Sequence, residues 1–247
     1  MKKIGLLFII LCLGSTVQAG GNRVEYTVDN SVFEGFFISP APGAPLVVMV
    51  HDWDGLGDYE IRRAQMLADQ GYAVFAADMF GRGIRPEKIS ERRQLTNELY
   101  QDRERMRRLL QGALAAAADQ GGDISHAVAM GYCFGGTVVL ELARSGQDMK
   151  GFVSFHGGLA TPPGQDYART SGSLLILHGS ADTAVTLTEF AELAQALEQH
   201  GIPHEMITYG GAPHAFSVFG TDRYREDADR KSWQRFLDYL DQTLSGR

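Results

Sequence analysis

Along most of this chain, short apolar runs alternate with longer stretches of helical spacing, and that alternation constrains the fold more than any other feature. Leu46–Val50 (LVVMV) has no polar position, as suits a strand buried on both faces. Asp58–Gln70 follows with Ile61, Met66 and Leu67 at helical spacing and Gly71 as its stop. Tyr72–Ala77 reads as the next strand and ends at Asp78. Helical material then fills 87–119, followed by a strand at 126–132 and a helix at 134–145 with Gly146 behind it. Strands at 151–155 and 173–178, a helix at 186–200 closed by Gly201, a strand at 204–209 and a last helix at 223–244 complete the series. Ahead of it, Val24–Val28 and Val32–Ser39 flank Asp29-Asn30, which predicts an antiparallel hairpin. Strands alternating with helices predict βαβ units, hence an α/β fold with a mostly parallel central sheet and helices on both faces. No repeat or linker divides residues 20–247, so they read as a single domain. In such sheets ligands bind beyond the C-terminal strand ends, and functional residues are expected there.

The first 19 residues have a different character. Lys2 and Lys3 precede the apolar run Ile4–Leu13, and Val17-Gln18-Ala19 places small residues for a cut after Ala19. These are the parts of a secretory signal peptide, and the run is short of the roughly 20 apolar residues of a membrane span. The expectation is a secreted protein of the bacterial periplasm, with no stable membrane anchor after signal removal. A net charge of −7 gives no footprint for a nucleic-acid partner. Cleavage removes Cys12 and leaves Cys133 without an internal disulfide partner.

Cys133 sits at a telling place. Gly131-Tyr132-Cys133-Phe134-Gly135 fits G-x-S-x-G with cysteine for serine, between a predicted strand and a predicted helix. A nucleophile on that sharp turn needs neighbours without side chains two residues away on either side, so that strand and helix can approach. The thiol then stands at a helix N-terminus, where backbone N–H groups favour a thiolate. The competing reading of a lone cysteine is a small buried hydrophobe.

The elbow architecture expects a nucleophile, an acid and a histidine in that chain order. Asp182 follows the strand Leu174–Leu177 in HGSAD, and His214 follows Glu205–Tyr209 in a Gly/Pro loop. His51, His156 and His178 also fall at strand ends, where they could line a pocket, but each precedes Asp182. His126, His200 and His204 fall at the opposite edge. No HExxH or clustered Cys/His spacing suggests a metal. The arginines Arg92, Arg93, Arg103, Arg105, Arg107 and Arg108 are interleaved with Glu91, Glu98, Asp102 and Glu104, and read as a solvated helix face laced with ion pairs.

Together, GYCFGG, HDWDGL (51–56), AADMFGRG (76–83), HGSAD (178–182) and APHAF (212–216) resemble the dienelactone hydrolase family of α/β-hydrolases over roughly residues 24–244. The resemblance implies Cys133 as nucleophile, Asp182 as acid and His214 as base. It further implies an oxyanion hole at the backbone N–H groups of Trp53 and Phe134, and no cofactor. It places Asp52 where relatives carry a glutamate that interacts with the resting thiol. It also matches Arg82 to the first of two arginines that hold a substrate carboxylate. The second of those positions is Val218 here, and Arg223 or Arg225 could substitute only if their loop folds back. The expected activity is hydrolysis of a small ester or lactone through a thioester. The rival readings are a thiol-reactive sensor and an interaction protein that keeps the fold with little turnover.

Overall fold

A computed structural model describes residues 20–244; the signal-peptide reading of residues 1–19 lies outside the described residues. β1 (Asn22–Val28) and β2 (Ser31–Ile38) form the expected hairpin. Asp29 and Asn30 between them have φ of 49° and 61°, the double positive φ of a tight primed turn, which Asn and Asp tolerate better than most residues. The remaining strands are β3 (Leu46–Val50), β4 (Ala73–Ala77), β5 (Ala127–Tyr132), β6 (Gly151–Phe155), β7 (Ser173–Gly179) and β8 (His204–Tyr209). They and the hairpin make one eight-stranded sheet in the order β1-β2-β4-β3-β5-β6-β7-β8. β1 pairs with β2, and β2 with β4, antiparallel; every later pairing is parallel. This is the α/β-hydrolase fold, with the N-terminal antiparallel strands at one edge.

The period of two in each strand divides the core between the sheet's faces. In β3, Leu46, Val48 and Val50 join one apolar cluster and Val47 and Met49 the other. The first cluster is covered by α3 (Arg103–Asp119), α4 (Phe134–Ser145) and α5 (Leu187–Gln199), the second by α1 (Asp58–Ala68) and α6 (Glu226–Leu244). The stretch expected to be helical over 87–119 is two helices. α2 (Ile89–Gln101) ends at Asp102, whose backbone leaves the helical region and whose carboxylate accepts the Arg105 N–H at 2.9 Å to start α3.

Strand order reverses between β3, whose chain continues to β4 on one side, and β5 on the other. A crevice opens at such a reversal because the connections leave in opposite directions. α4 starts directly behind β5 and is packed against the end of β3. A Cβ on Gly135 would stand 2.3 Å from the Val50 carbonyl oxygen, and one on Gly131 would stand 2.2 Å from the Gly135 carbonyl carbon. Both obstacles are backbone and cannot swing aside. Gly131→Ala is therefore expected to destabilise the protein by about 3 kcal/mol or more, read as a lowered urea midpoint at unchanged slope. A loss below 1 kcal/mol would contradict the packing described.

Candidate active site

The turn between β5 and α4 holds Cys133 at φ 49°, ψ −110°, a conformation that non-glycine residues rarely adopt. The Cys133 N–H is tied to the Phe155 carbonyl at 3.0 Å, which fixes the turn against β6. The thiol faces a cavity of about 410 Å³ whose lining includes Asp52, Trp53, Tyr100, Phe134 and His214.

His214 comes from the connection 210–225 behind β8. Its Nε2 lies 3.1 Å from Cys133 Sγ, and its Nδ1 lies 2.8 Å from Asp182 Oδ2. The other Asp182 oxygen accepts the N–H groups of Ala184 and Val185 at 2.8 and 2.9 Å. Burial alone would raise the Asp182 carboxyl, but the hydrogen bond and charge of His214 and these two N–H groups outweigh it and hold the group below its ordinary value. A thiol, an imidazole and an ionised carboxylate thus stand in one hydrogen-bonded series. Such a series can move a proton off sulfur and return it to a leaving group.

The surroundings of the thiol disfavour its ionisation. Burial pushes its pKa well above the ordinary thiol value; the charge and hydrogen bond of Asp52 push it further, against the Phe134 backbone N–H. Asp52 is itself raised to about 6, chiefly by burial and then by the charge of Asp54. Its Oδ1 accepts the Trp53 N–H at 2.5 Å, so one of the two N–H groups expected in the oxyanion hole is turned onto a carboxylate. The loop behind Asp52 is fastened by Glu60, which is buried and accepts the Asp52 N–H at 3.3 Å and the Gly57 N–H at 2.9 Å. Burial raises Glu60 to about 8.

The model of the dienelactone hydrolase family matches residues 33–244. The chain belongs to the dienelactone hydrolase family. A Synechocystis sp. protein named as a "putative carboxymethylenebutenolidase" is 26% identical over 242 residues, spanning 89% of this chain and 96% of its own. Among solved structures, one named m3DLH superposes with a TM-score of 0.86 at 29% identity, covering 92% of this chain and 99% of that one. A dienelactone hydrolase-like promiscuous phosphotriesterase from metagenomic libraries gives 0.85 at 30% identity, with the same coverage.

Within this dienelactone hydrolase fold the structure brings together Cys133, Asp182, His214, Asp52, Trp53 and Phe134. It does not bring in Arg82. The Arg82 N–H is tied to the Val32 carbonyl of β2 at 3.0 Å, and its side chain leaves with the hairpin to pair with Glu25 at 2.7 Å, more than half exposed. Arginines at the cavity are instead Arg223, because its loop does fold back, and Arg93, on the α2 face that also presents Thr96 and Tyr100 at i+3 and i+7. The solvated-face reading of the arginine-rich stretch also fails for Arg103 and Arg107, which converge at 3.7 and 2.5 Å on Glu141, a carboxylate buried on α4.

The other strand-end histidines lie behind the cavity rather than in it. His51 Nδ1–H donates to the Asp52 carbonyl at 2.5 Å while its Nε2 accepts the Met79 N–H at 3.1 Å. His178 Nε2 donates to the Val185 carbonyl at 2.9 Å, bracing the loop that carries Asp182. Among the described residues, no group of three or more His, Cys, Asp or Glu side chains could hold a metal ion.

The carboxylate of Asp52 is the group that most directly suppresses thiol ionisation. Asp52→Asn is expected to speed iodoacetamide alkylation of Cys133 at pH 8 by roughly threefold or more, since one unit of pKa is a tenfold change in thiolate. The advantage shrinks below about pH 6, where the Asp52 of the wild type is itself protonated. A variant that alkylates at the wild-type rate at pH 8 would refute this role.

Proposed function

We propose that the protein hydrolyses small esters or lactones with Cys133 as nucleophile. The observation that carries this reading is the series Cys133 Sγ, His214 Nε2 and Nδ1, and Asp182 Oδ2, with contacts of 3.1 and 2.8 Å at the floor of a cavity. His214 takes the thiol proton, and the sulfur attacks the substrate carbonyl carbon. The Phe134 and Trp53 N–H groups hold the developing oxyanion, the latter once Asp52 has released it. His214 returns the proton to the departing alkoxide, which in a lactone stays attached to the acyl chain. Water, deprotonated by His214, then cleaves the thioester and restores the thiol. Asp182 keeps the imidazole in the tautomer with Nδ1–H and stabilises its charged form. This sequence of steps draws on no cofactor. We assign the activity to the exported protein, on the strength of the leader-like residues 1–19.

A thiol-reactive sensor is the weaker reading. Sensor cysteines are low in pKa, whereas burial and Asp52 push the pKa of this cavity-lining thiol up. Such a thiol suits a site that ionises its nucleophile only when the substrate displaces Asp52.

The first test is hydrolysis of p-nitrophenyl butyrate by the wild type and by Cys133→Ala. The variant is expected to fall to the uncatalysed rate with its circular dichroism unchanged, and His214→Ala to lose about 10²- to 10⁴-fold in kcat. Equal rates for wild type and Cys133→Ala would remove the thiol from the mechanism. The cavity arginines add a substrate preference. Arg93→Ala and Arg223→Ala are each expected to raise KM about fivefold to tenfold for an ester bearing a carboxylate. Little change is expected for its neutral amide counterpart, and equal effects on the two substrates would contradict the preference.

A further inference from the structure

His214 stands on a long connection, 210–225, that has no regular structure of its own. Ala215, next to it, is held at φ 60°, an unfavourable conformation for a residue with a Cβ. Something must fix this loop if the imidazole is to stay 3.1 Å from sulfur. Its anchor is a fully buried cation on the neighbouring helix. Arg63 of α1 is 0% exposed. Its Nη2 donates to the Ser217 carbonyl at 2.9 Å and pairs with Asp229 in the first turn of α6, and its Nε donates to the Tyr59 hydroxyl at 3.2 Å. The guanidinium carbon lies 4.2 Å from the centre of the Phe219 ring and 4.7 Å from that of Trp233.

From Ser217 the contacts run back to the site. Its hydroxyl is 3.0 Å from the Tyr59 hydroxyl and 2.9 Å from His156 Nε2. The His156 ring meets His214 edge to face, with centroids 5.4 Å apart at 66°. Desolvating a guanidinium is costly, and an apolar side chain of similar volume often packs as well in its place. What the guanidinium supplies here, and an apolar side chain cannot, is simultaneous bonding to the His214 loop and to the start of α6, while it rides on the helix that follows the Trp53 loop.

We propose that Arg63 is a positioning residue for His214: by clamping Ser217 between α1 and α6, it holds the imidazole in register with Cys133 and Asp182. The effect on turnover rests on the hydrolase reading above; the effect on the thiol does not. Arg63→Lys keeps the charge and the reach to Asp229 but gives up the fork that binds Ser217. The expected result is a kcat lowered about tenfold or more with KM within about twofold, and a thermal midpoint within a few degrees of the wild type. Alkylation of Cys133 by iodoacetamide at pH 8 should slow by about threefold or more, and Arg63→Lys should add nothing to the loss already caused by His214→Ala. Should the wild type turn over no ester, the alkylation comparison still decides. A folded Arg63→Lys protein with wild-type alkylation, or one whose loss adds in full to that of His214→Ala, overturns the proposal. If Arg63→Lys does not fold, Tyr59→Phe removes a hydroxyl bonded to both Arg63 and Ser217 while keeping the ring. It should show the same pattern in weaker form, and wild-type behaviour in Tyr59→Phe would equally refute the clamp.

Discussion

The close approach of α4 to the end of β3 is the constraint on which the site depends. Because Gly131 and Gly135 bring backbone to backbone without side chains, the connecting turn is too tight for ordinary conformations, and Cys133 is forced to positive φ. A residue held so costs on the order of 1–3 kcal/mol, which the buried parallel strands on either side offset. In return, sulfur projects from the sheet at the reversal of strand order, with a helix N-terminus behind it. From β5 outward, consecutive strands each deliver one residue: Cys133 after β5, His156 after β6, Asp182 after β7 and His214 after β8. Strands lie about 4.8 Å apart, so β8 is roughly 14 Å from β5. The last loop must therefore reach back across two strands to bring His214 to the thiol, which is why it is long and why its path needs fastening.

The carboxylates near the thiol show how partners rather than residue type set charge. Asp182 accepts backbone N–H groups and the His214 ring, and stays ionised despite burial. Asp52 accepts the Trp53 N–H and faces the thiol, and burial wins by a moderate margin. Glu60 accepts backbone N–H groups but has no cationic partner and has two acidic neighbours, and burial wins outright. Both raised groups hold the Asp52–Gly57 segment, so the loop that carries the Trp53 N–H is fastened by groups that change charge near neutrality. Asp52 reaches both the thiol and its own neighbour's N–H.

The parts of this arrangement that were legible in the sequence are those set by local chemistry. Asp29-Asn30 specifies a tight turn, unbroken apolar runs specify buried strands, and glycines at −2 and +2 specify the elbow. The chain order of Cys133, Asp182 and His214 follows from the elbow. The break at Asp102 was also locally encoded, as an N-cap acid, but it lay within continuous helical spacing that masked it. What escaped depends on the path of loops and the facing of helices. Arg82 lies within the motif AADMFGRG, yet the hydrogen bond of its N–H to Val32 sends the side chain outward. Arg223 reaches the cavity only because its loop turns back, and Arg93 only because one face of α2 overhangs it. Strand-end position could not say whether His51, His156 and His178 face the cavity or the interior.

That difference in legibility corresponds to a division of labour. The groups proposed to do chemistry sit on strand ends within a core that cannot shift without loss of packing. The groups that border the outer part of the cavity come from α2, which buries only Thr96 and Leu99, and from the connection ahead of α6. Replacing Arg93 or Arg223 alters little of what holds the fold, because each stands at an exposed edge of the cavity. Replacing Arg63, which touches no substrate, disturbs α1, α6 and the His214 loop together. In this architecture, substrate preference can drift at the rim while the geometry of the thiol and imidazole is conserved from beneath, by a buried cation that the reacting groups never meet.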